Sequence, residues 1–358
     1  MALFGLFKKD NSQKSAKKGY FEIPVSAVEK LTVDTVKVIL DIPLELKKEF
    51  HFEPGQYLNL AIDINGKEER RSYSICSGAN EPIAFAVKAV NNGTVSVWLN
   101  KSLLPGQTLF VAKPQGNFTL DKTSKNVVAI AAGSGITPIL SIAKAVETNH
   151  GEMHLFYGNR TKSTIIFEKE LKELKSIQIV NFLSGEKLEG YEFGRITKES
   201  FTAQIKLNLG LLKADAFYIC GPEQMILDVS STLEFFGVAK SKIHFELFTT
   251  PILMTQEETH VISFEGESHV KAILDSEVVE FKLNSKGKSI LESAEKAGLD
   301  APFSCRGGVC CSCKAKVLKG SATMSMNYSL TDKDIEEGYI LTCQAHPSSE
   351  ELTISFDE

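Results

Sequence analysis

Four cysteines in the last sixth of the chain constrain its fold more than any other sequence feature. Cys305, Cys310 and Cys313 follow the spacing C-x4-C-x2-C, and Cys343 stands alone further along the chain. Two glycines between the first two cysteines allow a tight backbone turn whose N–H groups point at sulfur. Any fold of this chain must therefore bring a distant cysteine back to a short loop to complete a four-thiolate metal centre.

The spacing of these cysteines is that of a plant-type [2Fe-2S] ferredoxin, a centre for one-electron transfer. A structural zinc site is the alternative, but zinc sites usually pair two short motifs, and here the fourth cysteine has no close partner. We therefore expect an iron-sulfur cluster. Cys311 lies off the spacing and is expected to be a bystander thiol.

Composition sets further limits. A chain of 358 residues with 43% hydrophobic content predicts two or three globular domains. No apolar run approaches the ~18 residues of a membrane span. A formal net charge of −5 gives no sign of nucleic-acid binding. Outside the metal set, Cys76, Cys220 and Cys311 form an odd remainder, which favours a reducing cytoplasm over a disulfide scaffold.

The first 18 residues join a short apolar run to five lysines. The charges follow the apolar run instead of preceding it, so the segment is not a secretory signal. We expect a solvated, disordered leader, with a membrane-surface anchor as the alternative.

Hydrophobic periodicity divides the remainder into three domains and a linker. Short strand-like runs with one helix near 95–101 predict an antiparallel β-barrel over 19–122. Strands then alternate with helical patterns at 138–148, 163–174 and 223–236, which predicts a parallel sheet over 123–248. A linker is expected at 249–260, followed by the cysteine-bearing domain at 261–358.

Two motifs in the predicted barrel have the chemistry of a site for a phosphorylated, flat-ringed ligand. In the sequence RSYS, Arg71 can neutralise a phosphate, Tyr73 can stack on a ring and Ser74 can hydrogen-bond a ring nitrogen. The turn from Gly93 to Ser96 leads into a helix N-terminus, which favours anions. Taken alone, each motif also fits an ordinary strand or turn.

Two further motifs follow predicted strands of the parallel sheet. GSGITP, from Gly133 to Pro138, lies between a buried strand and a helix, and CGP begins at Cys220. Glycines at such strand ends let a dinucleotide approach the backbone, although the sequence departs from G-x-G-x-x-G. Either cluster alone is equally consistent with a tight turn.

The order of these motifs, completed by Glu246 and Phe248, resembles the ferredoxin-NADP reductase superfamily. The appended cysteine domain is similar to that of oxygenase reductase components, and the resemblance covers 20–358. It implies an antiparallel β-barrel flavin domain, an α/β parallel-sheet NAD(P)-binding domain and an α+β (β-grasp) ferredoxin domain. One departure is that the strand ending at Phe248 continues into a linker here, whereas it ends the chain in the plant enzymes.

The resemblance also implies roles for individual residues. Arg71 would contact the flavin phosphates, Tyr73 would pack on the isoalloxazine ring and Ser74 would hydrogen-bond near N5. The residues expected to take part in catalysis are Ser74, Cys220, Glu246 and Phe248. Those expected to bind flavin or nucleotide are Arg71, Ser72, Tyr73, Ser74, Val87, Gly93, Val95, Ser96, Gly135, Thr137, Pro138, Arg160, Gly221 and Pro222. The cluster ligands would be Cys305, Cys310, Cys313 and Cys343.

The expected activity is an NAD(P)H-dependent oxidoreductase that passes electrons through FAD, or less favourably FMN, and a [2Fe-2S] cluster to a terminal oxygenase. Electron donation to a lipid desaturase or another hydroxylase is an alternative. A redox-sensing module with a degenerate flavin site is another, against which the intact RSYS and GSGITP motifs argue. Arg160, with Arg195 as a second contact, predicts a preference for NADPH over NADH, because a guanidinium can bind a 2′-phosphate.

Overall fold

The computed structural model describes residues 19–252 and 264–358. The predicted leader and the greater part of the predicted linker lie outside the described residues. Among the helices of the described ranges, none combines the length and the apolar character that crossing a bilayer requires.

The first domain is an antiparallel sheet that closes on itself, as predicted. Its elements are β1 (Phe21–Thr32), β2 (Thr35–Leu40), β3 (Tyr57–Ile64), β4 (Lys67–Ser74), β5 (Ala84–Lys88), α1 (Thr94–Lys101) and β6 (Thr108–Val111). The strand order is β4-β3-β6-β1-β2-β5. A bridge between Ile75 and Phe85 joins the two outer strands and closes the barrel.

The strand β1 is missing from the predicted strands. Its pairing with β2 shifts register between Val25 and Ala27 and again between Lys30 and Thr32. Such bulges interrupt the alternation of apolar and polar residues, which is the signal on which strand prediction depends.

The second domain is a parallel six-stranded sheet with helices between its strands, again as predicted. Its elements are β7 (Asn126–Ala132), α2 (Ile136–Thr148), β8 (Glu152–Asn159), α3 (Glu168–Glu173), β9 (Ile177–Leu183), β10 (Glu192–Phe193), α4 (Lys198–Leu207), β11 (Ala216–Cys220), α5 (Glu223–Phe235) and β12 (Ile243–Glu246). The central strand β7 is apolar and buried along most of its length, as expected for a strand covered on both faces.

Two helices of this domain differ from the prediction. The helix predicted over 163–174 is confined to α3, because Ile165, Ile166 and Phe167 are buried in the core and Phe167 has a φ of 61°. The helix α4 is absent from the prediction, although Thr197 caps its N-terminus by accepting a hydrogen bond from the N–H of Ser200.

Strand order places the functional edge of this sheet. The order β10-β9-β8-β7-β11-β12 reverses between β7 and β11. The connections that follow these two strands therefore leave in opposite directions and open a crevice at the carboxyl ends of the strands. GSGITP follows β7, and CGP ends β11, so both motifs lie at this crevice.

The third domain has a mixed five-stranded sheet, a two-stranded sheet and two helices. Its elements are β13 (Glu267–Leu274), β14 (Glu277–Asn284), α6 (Ile290–Lys296), β15 (Lys314–Lys319), β16 (Ala322–Met324), α7 (Asp332–Glu336), β17 (Tyr339–Leu341), β18 (Ala345–Pro347) and β19 (Glu351–Ser355). The order of the larger sheet is β14-β13-β19-β15-β17. The helix α6 buries Ile290, Leu291 and Ala294 in the core of this domain. This is the predicted β-grasp arrangement.

The third domain packs directly against the barrel. Asn59 of β3 donates from Nδ2 to the hydroxyl oxygen of Ser312 at 2.9 Å, and Tyr57 accepts at its hydroxyl from the N–H of Cys311 at 3.0 Å. The cysteine loop, residues 305–313, thus lies on the face of the barrel that β3 and β4 form.

Candidate electron-transfer site

The four predicted cluster cysteines converge in the structure. The sulfur atoms of Cys305 and Cys310 are 3.1 Å apart. The Cys343 thiol is hydrogen-bonded with those of Cys305 and Cys313, and these contacts raise the pKa of Cys343. The N–H of Gly307 donates to the sulfur of Cys305 at 3.3 Å. A convergent set of four thiols with backbone donors fits a [2Fe-2S] cluster, which these cysteines would hold as thiolates.

Local contacts explain how the lone cysteine reaches the loop. Thr342 donates from both its N–H and its hydroxyl to the carbonyl oxygen of Cys313, at 3.1 and 2.9 Å. Arg306, with a φ of 54°, turns the loop and forms an ion pair with Glu295 of α6. Cys343 is therefore positioned by its neighbour in the chain, and the loop is anchored to the helix beside it.

A first cleft, the barrel cleft, lies between β4, the end of β12 and the cysteine loop, and has a volume of about 650 Å³. Five residues predicted for flavin binding or catalysis line it: Arg71, Ser72, Ser74, Glu246 and Phe248. Cys305 and Cys310 line the same cleft from the opposite side. The size, the arginine and the hydroxyl groups of the cleft fit a flavin that is in contact with the cluster loop.

The residue predicted to stack on the flavin lies elsewhere. Tyr73 is stacked on Phe85 inside the barrel, with the ring centres 5.4 Å apart and the planes at 22°. It is not among the residues that line the barrel cleft. A stacking contact between Tyr73 and flavin therefore stays a prediction.

Glu246 places a half-buried carboxyl group at the wall of the barrel cleft. Its Oε2 accepts a hydrogen bond from the Ser74 hydroxyl at 3.1 Å. Burial raises the pKa of Glu246 from 4.5 to about 8, against the opposing effect of the Ser74 hydrogen bond. The shift favours the protonated form of this carboxyl group near neutral pH, next to the cleft where hydride chemistry is expected.

Replacing Glu246 by glutamine is expected to make the protein more stable than the wild type, by a margin that grows with pH. The pKa of Glu246 in the folded state lies above its ordinary value. The stability that the protonated carboxyl contributes is therefore fully present below pH 4.5 and is lost as the pH rises to about 8. The free energy of unfolding of the wild type should fall by about 1.4 kcal/mol per pH unit relative to the variant in that window. Thermal unfolding at matched cofactor content from pH 5 to 9 measures this difference.

The exposed carboxylate of Glu336 on α7 provides the matched control. Glu336→Gln reports the general effect of replacing one glutamate by glutamine. A Glu246→Gln margin that equals the Glu336→Gln margin across this pH range would mean that burial does not raise the pKa of Glu246.

A second cleft, the sheet cleft, opens at the carboxyl edge of β7, β8 and β11, and has a volume of about 630 Å³. Four residues predicted to bind nucleotide line it: Gly135, Arg160, Gly221 and Pro222. Gly135 has to be glycine for close packing, since a Cβ there would lie 2.0 Å from the carbonyl oxygen of Cys220. Arg195, the predicted second phosphate contact, also lines this cleft.

Other predicted residues support the sheet cleft without lining it. Thr137 is buried and donates from its hydroxyl to the carbonyl oxygen of Ser134 at 3.0 Å, which fixes the turn. Pro138 is buried in the first turn of α2. Cys220 is fully buried and pairs in register with Glu246 on the adjacent strand. Burial raises the pKa of the Cys220 thiol well above its ordinary value.

A third group of predicted residues lies away from both clefts. Val87 and Val95 belong to the barrel core. Gly93 caps the N-terminus of α1, and the Ser96 hydroxyl accepts from the N–H of Val90 at 3.1 Å. Contact between these residues and a pyrophosphate stays a prediction.

Three polar residues at the site were absent from the sequence-based predictions. Tyr57 lines the barrel cleft, and Asn59 lies behind it on the same strand. Asn159 is buried at the sheet cleft, and neither polar atom of its side chain has a hydrogen-bond partner among the described residues. The signal for Asn59 was available, because it is a polar residue at the centre of the apolar run YLNLAI.

The two clefts meet at the end of β12. Phe248 and Thr249 line both of them. A nucleotide in the sheet cleft and a flavin in the barrel cleft would therefore be separated by Phe248, and the cluster loop lies on the far side of the barrel cleft. The arrangement forms a continuous route from nucleotide to cluster.

Comparison with known proteins gives the same three parts in the same order. Residues 22–120 match the oxidoreductase FAD-binding domain, 129–231 the oxidoreductase NAD-binding domain, and 273–348 the 2Fe-2S iron-sulfur cluster binding domain. The third match decides between iron-sulfur and zinc in favour of the cluster.

Relatives of known function cover nearly the whole chain. A subunit of the 1,2-phenylacetyl-CoA epoxidase of Escherichia coli K12 is 36% identical over 94% of this chain and 98% of its own. The ferredoxin reductase component of 3-ketosteroid-9-alpha-monooxygenase from Rhodococcus rhodochrous is 32% identical over 93% and 96%. The solved structure of phthalate dioxygenase reductase is 25% identical, with a TM-score of 0.59 over 94% of this chain and 98% of its own. The chain therefore belongs to the ferredoxin-reductase-type oxygenase reductases, which combine an FAD-binding, an NAD-binding and a [2Fe-2S] domain.

Proposed function

We propose that the terminal acceptor of this reductase is an oxygenase of the 1,2-phenylacetyl-CoA epoxidase kind. Electrons enter from NAD(P)H at the sheet cleft and leave through the cluster. FAD held in the barrel cleft would take up two electrons as hydride and release them one at a time. The observation that carries the route is that Phe248 and Thr249 line both clefts while Cys305 and Cys310 line the barrel cleft.

The residues of the barrel cleft have separate tasks in this proposal. Arg71, paired with Glu69 at 3.0 Å and half exposed, can turn its guanidinium to the flavin phosphates. Ser74 and Glu246 form a hydrogen-bonded pair that can hold a proton beside the reacting ring. Phe248 lines both clefts and would lie between a flavin in the barrel cleft and a nicotinamide in the sheet cleft.

Reconstitution with two oxygenases tests the acceptor. The purified reductase is combined in turn with the oxygenase components of phenylacetyl-CoA epoxidase and of 3-ketosteroid-9-alpha-monooxygenase, and NADPH oxidation coupled to product is measured. Epoxide formation with the first partner alone supports the proposal. Coupling to the steroid oxygenase alone, or to neither partner, would contradict it.

The remaining assignments in the proposal concern the chain as a whole. We place the domain limits at 19–122, 123–248 and 261–358, with 249–260 as the linker, and we assign the protein to the cytoplasm. The chain is expected to have no nucleic-acid partner, since its net charge is −5.

Replacing Arg160 by alanine is expected to impair NADPH use selectively. Arg160 and Arg195 are exposed and line the sheet cleft, where a 2′-phosphate would carry its charge. Hydrogen bonds to charged groups contribute about 1.5–3 kcal/mol, so the KM for NADPH should rise by about tenfold or more. The KM for NADH should stay nearly constant. Steady-state kinetics with ferricyanide and each coenzyme provide the measurement.

The matched control is Lys162→Ala, two residues along the chain and outside the lining of the cleft. It should affect neither coenzyme. An equal rise of the KM for NADPH and for NADH in Arg160→Ala would show that the guanidinium does not bind the 2′-phosphate.

A further inference from the structure

Arg70 and Arg71 are neighbours on β4 but point to opposite faces of the strand. The Arg71 side chain is 48% exposed and belongs to the barrel cleft already described. The Arg70 side chain is only 7% exposed and faces the third domain. Strand alternation therefore turns the two guanidinium groups to opposite faces of β4. Arg70 also lines the barrel cleft, and its guanidinium lies at the domain interface.

The guanidinium of Arg70 is held from several sides. Its Nε donates to Glu68 at 2.6 Å within the barrel. Its Nη2 donates to Asp300 at 2.7 Å, and its Nη1 to the carbonyl oxygen of Ala301 at 3.3 Å, both in the third domain. The Phe303 ring centre lies 4.7 Å from the guanidinium carbon.

These contacts fix the segment that leads into the cluster. Asp300, Ala301 and Phe303 directly precede Cys305, the first cluster ligand. Two residues further along β4, the Ser72 hydroxyl donates to that of Ser304 at 2.8 Å. β4, the strand that carries RSYS, thus holds the chain in place just before Cys305 through these hydrogen bonds.

The burial of Arg70 makes this contact specific for one docked arrangement of the two domains. A guanidinium removed from water needs partners for its fork of donors, and two of the three acceptors here belong to the other domain. A docking that buried Arg70 against a different surface would leave it with only Glu68 among these three acceptors. The observed arrangement is therefore the docked one in which this buried charge is satisfied.

We infer that Arg70 is a positioning residue that locks the [2Fe-2S] domain onto the flavin domain and so sets the rate of electron passage from flavin to cluster. The inference rests on the proposed electron route. In each passage one electron is transferred and one ferric iron becomes ferrous. One hydride from NAD(P)H supplies the electrons for two passages.

The test is anaerobic rapid mixing of the full-length holoprotein with NADPH, with flavin and cluster reduction followed separately by absorbance and by EPR. In Arg70→Met, cluster reduction should slow by about tenfold or more relative to flavin reduction, because small misplacements cost large factors in rate. Small-angle scattering should show a larger radius of gyration. Arg70→Lys should fall between Arg70→Met and the wild type, since an ammonium keeps the charge without the fork.

Partner and control variants separate this role from general damage. Asp300→Asn should slow cluster reduction, and Arg70→Met combined with Asp300→Asn should be less than additive. Lys282→Met, which breaks the exposed pair with Glu267 inside the third domain, should leave both rates unchanged. The iron and flavin content of every variant compared must match that of the wild type. If Arg70→Met loses a cofactor, Arg70→Lys and Asp300→Asn take its place in the comparison.

Wild-type cluster reduction together with an unchanged scattering profile in these variants would overturn the inference. A parallel loss of flavin reduction would also overturn it, because Arg70 would then act in the flavin site. Failure of the acceptor assignment has a different signature. Cluster reduction would still depend on Arg70 while no product formed with the epoxidase oxygenase.

Discussion

Replacing Cys343 by alanine is expected to remove the [2Fe-2S] cluster and to abolish electron transfer to the oxygenase. Cys343 is the predicted ligand furthest along the chain, and its thiol is hydrogen-bonded with those of Cys305 and Cys313 in the structure. Three cysteines cannot complete the set of four on which the cluster depends. Reduction of ferricyanide by NAD(P)H should persist, because a small oxidant can take electrons from the flavin directly.

Iron and sulfide analysis, EPR and oxygenase-coupled turnover measure this result. The matched control is Cys311→Ala in the same loop, since the Cys311 thiol donates to the carbonyl oxygen of Ser329 and lies off the ligand spacing. It should keep its cluster. Full oxygenase turnover by a cluster-free Cys343→Ala protein would mean that electrons leave from the flavin.

Removing residues 250–358 is expected to leave a folded flavoprotein that has lost its protein acceptor. Glu246 and Phe248 remain, and the barrel and the parallel sheet stay joined, for example by the Ser141 hydroxyl donating to the carbonyl oxygen of Ser77 at 2.8 Å. Arg70 and Asn59 lose their partners in the third domain but become exposed to water, which replaces those contacts. Ferricyanide reduction should continue, and oxygenase turnover should fall to background.

The second half of this prediction concerns the fragment that is removed. Residues 264–358 contain all four predicted cluster ligands and a core of their own around α6, so the fragment should bind a cluster without flavin. Adding it back at high concentration should restore part of the oxygenase turnover, because the contacts from Arg70 and Asn59 re-form between the pieces. A truncated flavoprotein that drives the oxygenase at the full-length rate would contradict the proposed route.

Much of the architecture was predictable because the signals were local. The cysteine spacing alone indicated the cluster, and the change from strand-like runs to βα alternation near 123 separated the barrel from the parallel sheet. The topological rule for parallel sheets placed GSGITP and CGP at one crevice. Their approach in the structure, where Gly135 packs against the carbonyl oxygen of Cys220, agrees with that placement.

The misses also have physical causes. β1 was not predicted because its bulges interrupt the alternation of apolar and polar residues. The helix predicted over 163–174 is shorter in the structure because Ile165, Ile166 and Phe167 are buried in the core instead of forming one face of a helix. The contact of Tyr73 with flavin, which its motif predicts, stays a prediction, and in the structure the Tyr73 ring is stacked on Phe85. A motif gives the residue type at a position but does not determine which neighbour an aromatic ring packs against.

By itself, the sequence indicated the three domains, a flavin, a [2Fe-2S] cluster and the four cysteines expected to bind it, because each depends on residue types at short or fixed spacings. Only the tertiary structure decided how the domains face one another. Arg70 and Asp300 are 230 positions apart, and Phe248 lines two clefts at once. Such contacts depend on how packed surfaces fit together across the whole chain, and no local pattern of residues encodes that fit.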